Sequence, residues 1–133
     1  MIRYFLILFL LGLPLVLSGQ EPEIKFLHPE DFQNQYQQEI YAIIVDARTF
    51  KEYKKGHISE SVSVPAMENL ISFADSLDHE TPLYIYCEAE SRSITVAKWL
   101  IDNEFTSVHI LKGGLTTWIA LEMKTVRGRK NIP

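Results

Sequence analysis

The chain has 133 residues, 47% of them hydrophobic and 23% charged, which suits one globular domain. A formal net charge of −4 argues against nucleic acid as the main partner, because such binders carry a basic stripe. A single cysteine excludes an internal disulfide, and the four scattered histidines give no metal-site spacing.

Met1-Ile2-Arg3 is a short basic start, Tyr4 to Leu17 is nearly all apolar, and Ser18-Gly19 are small. This pattern predicts a secretory signal peptide over residues 1–19 and export to the bacterial periplasm or the extracellular space. The run is shorter than the roughly 20 apolar residues that a membrane span needs. An uncleaved anchor is the alternative, and only then does the membrane become a partner. Leu17-Ser18-Gly19 resembles the start of a lipobox, but Gln20 stands where the lipid-bearing cysteine would have to be. Loss of residues 1–19 removes Arg3 and no acid, taking the net charge from −4 to −5.

Residues 20–25 read as a polar lead-in, 26–123 as the domain and 124–133 as a basic, solvated tail. Ile24 to Leu27 fits a short edge strand. Pro29-Glu30-Asp31 suits a helix first turn, with Phe32 and Tyr36 on its apolar side. Ile40 to Val45 is long and β-branched enough for a buried strand. A short helix over 49–55 ends at Gly56, with Lys54 and Lys55 in its last turn. Val62 to Val64 predicts a strand stopped by Pro65. Met67, Leu70, Ile71, Ala74 and Leu77 fit one helix face. Pro82 to Tyr86 predicts another strand, and Ile94, Ala97, Leu100 and Ile101 a helix. Val108 to Leu111 predicts the last strand. Gly113-Gly114 makes a turn into a helix with Leu115, Trp118 and Ile119.

Strands alternating with helices predict an α/β fold: a mostly parallel central sheet with helices on both faces. Ligands bind such sheets beyond the carboxyl ends of the strands. Asp46 to Arg48 and Cys87 to Arg92 both follow strand ends, so they are candidates for one crevice.

Cys87 lies between a strand end and a helix start, facing unpaired N–H groups and the positive end of the helix dipole. That setting favours the thiolate, the nucleophilic form. The competing reading is a small buried hydrophobe. In an exported chain, an odd cysteine suggests a free reactive thiol or an intermolecular pair.

Three segments together resemble the rhodanese-like domain family. The first is Asp46-Ala47-Arg48, then Glu52-Tyr53, Gly56-His57-Ile58 and Pro65, similar to D-x-R, E-[YF], G-H-I and a closing proline. The second is Cys87-Glu88-Ala89-Glu90-Ser91-Arg92-Ser93, similar to C-x-x-G-x-R-S. The third is Leu111-Lys112-Gly113-Gly114 with Trp118, similar to L-x-G-G-x-x-x-W. The resemblance implies a three-layer rhodanese-like sandwich and a sulfur carrier without cofactor or metal. Cys87 would take sulfane sulfur from a small donor or a protein persulfide and pass it to a thiophilic acceptor such as a thiol. Glu88, Ala89, Glu90, Ser91 and Arg92 would offer N–H groups to the sulfur, Arg92 would add positive charge, and Ser93 would cap the helix or bond within the loop. Arg48 would lend charge to the crevice or, with Asp46, form a structural network. His57 would sit in a packed turn, bonded to a carboxylate such as Glu52. Cysteine phosphatases use a longer C-x5-R loop, whereas four residues separate Cys87 from Arg92 here. The alternative is a non-catalytic or redox-sensing binding module of the same fold.

Two departures stand out. Glu90 occupies the family's usual glycine position, and a left-handed backbone there would cost a glutamate about 1–2 kcal/mol. Glu88 and Glu90 also bring two carboxylates to the thiol. Ser59-Glu60-Ser61 replaces the family's usual Pro-Gly-Ala.

Overall fold

The computed structural model describes residue 19 and residues 21–128. Residues 1–18 of the expected signal peptide and the last five residues of the tail therefore lie outside the described residues. Five strands and five helices alternate: β1 Ile24–Leu27, α1 Pro29–Gln38, β2 Ile43–Asp46, α2 Phe50–Lys55, β3 Val62–Ser63, α3 Met67–Asp75, β4 Leu83–Tyr86, α4 Ser91–Asp102, β5 Val108–Leu111 and α5 Gly114–Ala120. The strand order is β1-β5-β4-β2-β3, and every pairing is parallel. The fold is the α/β class expected, with a sheet that is wholly rather than mostly parallel.

Strand alternation divides the core in two. Val45, Leu83, Ile85, Val108 and Ile110 face one side and pack with Leu70, Phe73 and Ala74 of α3 and Ala97 and Leu100 of α4. Ile44, Tyr84, Tyr86 and Leu111 face the other and pack with Phe32 of α1 and Leu115 and Trp118 of α5. β4 and β5 are buried throughout, which explains their uninterrupted apolar sequence. No helix among the described residues is long and apolar enough to cross a membrane.

Local signals set most boundaries. Thr49 caps α2, its hydroxyl accepting the Glu52 N–H at 3.2 Å. The strand expected over Ile40 to Val45 is shorter, because Tyr41 takes a positive φ of 64° in a turn that leaves Ile40 and Tyr41 exposed. Left-handed backbone cannot continue a strand. The described part of the tail is exposed but attached. Val126 pairs antiparallel with His57 through bonds of 2.9 and 2.8 Å, and Trp118 Nε1 donates to the Lys124 carbonyl. These bonds tie the segment to the domain, while Lys124 to Arg127 remain exposed.

The register brings Asp46 opposite Tyr86, so the two site-bearing loops leave the sheet side by side. Tyr86 Oη donates to Asp46 Oδ2 at 2.5 Å, accepts the Ile58 N–H at 3.0 Å and lies 3.1 Å from Ser61 Oγ. Burial and the Asp46 charge hold this phenol well above its ordinary pKa, so it stays a donor. Replacing Tyr86 by Phe should cost about 1–3 kcal/mol, since it strands the Ile58 N–H. Urea denaturation measures this, and an unchanged midpoint would show the network to be dispensable.

Candidate functional site

The site begins where β4 ends. Cys87 is 1% exposed and packs with Ala47, Val64 and Leu70. Its Sγ receives the Ser93 N–H at 3.4 Å and lies 3.5 Å from Ser93 Oγ. Ser93 is the third residue of α4, so the helix aims a first-turn donor at the sulfur. The Ser93 hydroxyl also reaches the Glu90 carbonyl at 2.8 Å.

The loop is held by its carbonyls. Leu115 N–H donates to the Cys87 carbonyl at 2.9 Å, and Thr116 N–H to that of Glu88 at 3.1 Å. Both donors belong to the first turn of α5, whose N-terminus thus supports the loop from below. With its carbonyls engaged, the loop leaves its amides over. None of the N–H groups of residues 88 to 92 donates to a protein oxygen among the described residues. Gly114 makes the close approach possible. Its φ is 61°, and a Cβ there would meet the carbonyl oxygens of Ala89 at 2.1 Å, Glu88 at 2.6 Å and Cys87 at 2.7 Å. Reading the sequence alone identifies Gly114 as a turn residue but misses this support role.

Glu90 is not strained. Its φ is −143°, so the expected left-handed penalty does not arise. The positive φ falls instead at Glu60, at 69°, within the segment that replaces Pro-Gly-Ala. The Glu60 carboxylate accepts the Tyr36 hydroxyl at 3.0 Å. Burial and that bond push the Tyr36 phenol up to about 12.

Each carboxylate near the loop has a definite partner. Glu90 Oε1 accepts the Gly113 N–H at 2.7 Å, and Glu88 Oε2 lies 3.4 Å from Arg48 Nη1. Arg48 is 3% exposed. Its Nη2 reaches Asp46 Oδ2 and the Gly56 carbonyl, both at 2.7 Å, while Nε reaches Asp46 Oδ1 at 3.0 Å. Burial lowers the guanidinium pKa, but the Asp46 bonds and charge outweigh it and leave the net shift upward. Arg92 forms a two-pronged pair with Glu52 at 2.8 and 3.1 Å. The Arg92 bond draws the Glu52 carboxyl down to about 2 against the opposing effect of burial.

His57 is not bonded to Glu52 as expected, because Arg92 holds that carboxylate. The buried His57 ring instead stacks on Tyr53 with centroids 3.7 Å apart, and its Nδ1 lies 2.8 Å from the Tyr53 carbonyl. Ala89 in the loop and Ser91, the first residue of α4, are exposed. Among the described residues, no group of three or more His, Cys, Asp or Glu side chains converges as a metal site would require.

Two hollows flank the loop. One, of about 310 Å³, is lined by Ala47, Val64, Met67, Leu70, Arg92 and Val96 among others. The second, of about 320 Å³, includes Arg48, Glu52, Lys55, Glu88 and Arg127.

The site is thus a buried cysteine at the end of a parallel strand, in a loop that leads into the first turn of a helix. The pattern described as Rhodanese-like domain matches residues 28–121. The chain therefore belongs to the rhodanese-like domain family. It is 30% identical over 98 residues to "Thiosulfate sulfurtransferase GlpE" of Pseudomonas savastanoi, covering 74% of this chain and 90% of that protein. It is also 30% identical over 100 residues to "Probable molybdopterin-synthase adenylyltransferase" of Porphyra purpurea, covering 74% of this chain but 25% of that protein. Among solved structures, a thiosulfate sulfurtransferase from Pseudomonas aeruginosa superposes with a TM-score of 0.71 at 25% identity, covering 82% of this chain and 21% of that one. The chain thus spans about a quarter or less of these last two.

Two outcomes follow from the geometry. Gly114→Ala should displace the loop and lower the unfolding midpoint more than Gly113→Ala, whose added Cβ meets the Thr117 side chain rather than backbone carbonyls first. Equal thermal shifts would contradict that. The Glu52–Arg92 pair should persist down to acid. Because the folded pKa lies below the ordinary value of 4.5, its stabilisation is present above that value and lost as pH falls through about 2. A carboxyl NMR titration of Glu52 with a midpoint near the ordinary value would contradict it.

Proposed function

We propose that this protein is a sulfurtransferase or persulfide carrier that moves sulfane sulfur through Cys87. The carrying observation is the loop itself: Ser93 N–H at 3.4 Å from Sγ, and five further N–H groups, of residues 88 to 92, without protein acceptors among the described residues. Such donors stabilise an anionic sulfur as they do other anions at helix N-termini. The thiolate attacks the outer sulfur of a donor R–S–S–H. A Cys87–sulfur bond forms, the donor's S–S bond breaks, and RS⁻ departs. The acceptor thiolate then attacks the terminal sulfur and restores the Cys87 thiolate, so no net oxidant is needed. The N–H groups hold the negative charge on sulfur at each stage, and no separate base is required once the thiol is ionised. Arg48 and Asp46 act as positioning residues, and Arg92, paired with Glu52, braces the loop edge. The "Thiosulfate sulfurtransferase" relative supports the chemistry. Export to the periplasm or extracellular space belongs to this proposal too, with a thiol or protein persulfide as partner.

The burial of Cys87 in an apolar cluster favours a second reading, a binding module in which the thiol is inert. Intact mass separates the two. After treatment with a sulfur donor, the protein should gain one sulfur atom on Cys87, and Cys87→Ser should gain none. No gain with thiosulfate, 3-mercaptopyruvate or glutathione persulfide would establish the second reading.

A further inference from the structure

The hollow that meets the loop at Ser91 and Arg92 has the wrong character for an inorganic dianion. It shares Ala47, Val64 and Leu70 with the buried cluster that contains Cys87, and it is continuous with the loop through Ser91 and Arg92. Pro65, Met67 and Val96 add further apolar surface. Its one cation, Arg92, is held by both oxygens of Glu52. Arg48, the other guanidinium beside the loop, is buried against Asp46 and faces Glu88. Two further cations, Lys55 and Arg127, line the second hollow, which shares no lining residue with the first. An anion entering beside Cys87 therefore meets apolar walls and an already neutralised arginine. The loop amides serve the sulfur, so a carboxylate or sulfonate on the donor's tail would lose water among these walls without gaining an unpaired cation.

We infer that the hollow formed by Ala47, Val64, Met67, Leu70 and Val96 receives the uncharged, apolar tail of a low-molecular-weight persulfide donor. The inference rests on the sulfur-carrier reading and names the substrate class of that site. At about 310 Å³ the hollow is at the small end of ligand pockets and suits a ring or short alkyl chain. With the tail there, the donor's terminal sulfur faces the loop. Cys87–S⁻ attacks it, the donor's S–S bond breaks, and the apolar thiolate RS⁻ leaves while the proton stays on the new Cys87–S–S–H.

The test compares three donors on the reduced full chain under argon: benzyl hydropersulfide, glutathione persulfide and thiosulfate. Intact mass follows sulfur gain on Cys87, and each rate is divided by that donor's rate with free N-acetylcysteine. The benzyl donor should lead the charged donors by about tenfold or more, the effect of burying one side-chain-sized apolar group. Met67→Glu, at a 42% exposed position, and Thr95→Glu, at an exposed one, should each erase most of that lead. An equal or faster normalised rate with thiosulfate or glutathione persulfide would overturn the inference while leaving Cys87 a sulfur carrier. A lead that survives both substitutions would overturn it as well. No sulfur gain from any donor would instead remove the carrier reading beneath it.

Discussion

The Asp46 carboxylate has no exposed surface, so its charge must be met entirely by protein groups. Four donors meet it: the Arg48 N–H, Nε and Nη2, and the Tyr86 hydroxyl. Through these groups the carboxylate ties the ends of β2 and β4 together. Arg48 extends the network to the Gly56 carbonyl and, through Glu88, to the cysteine loop. Tyr86 extends it to Ile58 and Ser61. Removing one partner of such a buried pair typically costs about 3–5 kcal/mol, because the other charge is left unmatched. The crevice thus has one rigid wall set by electrostatic necessity, and Cys87 follows directly from it in the chain.

The second support is backbone on backbone. Gly114 lets α5 come within Cβ-clash distance of three loop carbonyls, and Leu115 and Thr116 then bond two of them. Carbonyls turned toward α5 leave the amides over, and that polarity is what an anionic sulfur needs. The charges around the loop are arranged differently from a simple cationic trap. Arg92 and Arg48 each face carboxylates, and the loop's Glu88 and Glu90 are themselves engaged. In the proposed sulfur carrier, affinity for sulfur would fall to the amides and selectivity to the apolar hollow.

Much of this was legible in the residue order. The alternation of apolar runs and helical faces is dictated by burial, so β4 and β5 could be read within a residue, whereas α4 begins three residues before the first apolar position that marked it. Cys87 and its loop were readable because strand ends in parallel sheets carry sites. The partnerships were not. Glu52 and Arg92 lie 40 residues apart, and nothing local says that Glu52 meets Arg92 rather than His57. The left-handed residue was looked for at Glu90 because a glycine usually stands there, yet Glu60 carries the positive φ. Which residue takes that strain depends on how loops close against the sheet. The Val126–His57 pairing is backbone to backbone and leaves no side-chain signature. Tyr86 did carry a signal, since a phenol at the end of a buried strand needs a partner.

The central claim is that Cys87 holds sulfur in a transferable form, which is a stronger statement than that the thiol can be modified. Stoichiometric cyanolysis tests it most directly. Protein treated with a sulfur donor and freed of excess reagent should release one thiocyanate per chain on mixing with cyanide, and should recover its free thiol. Protein that releases no thiocyanate, or that releases the same amount with Cys87→Ser, would contradict the account.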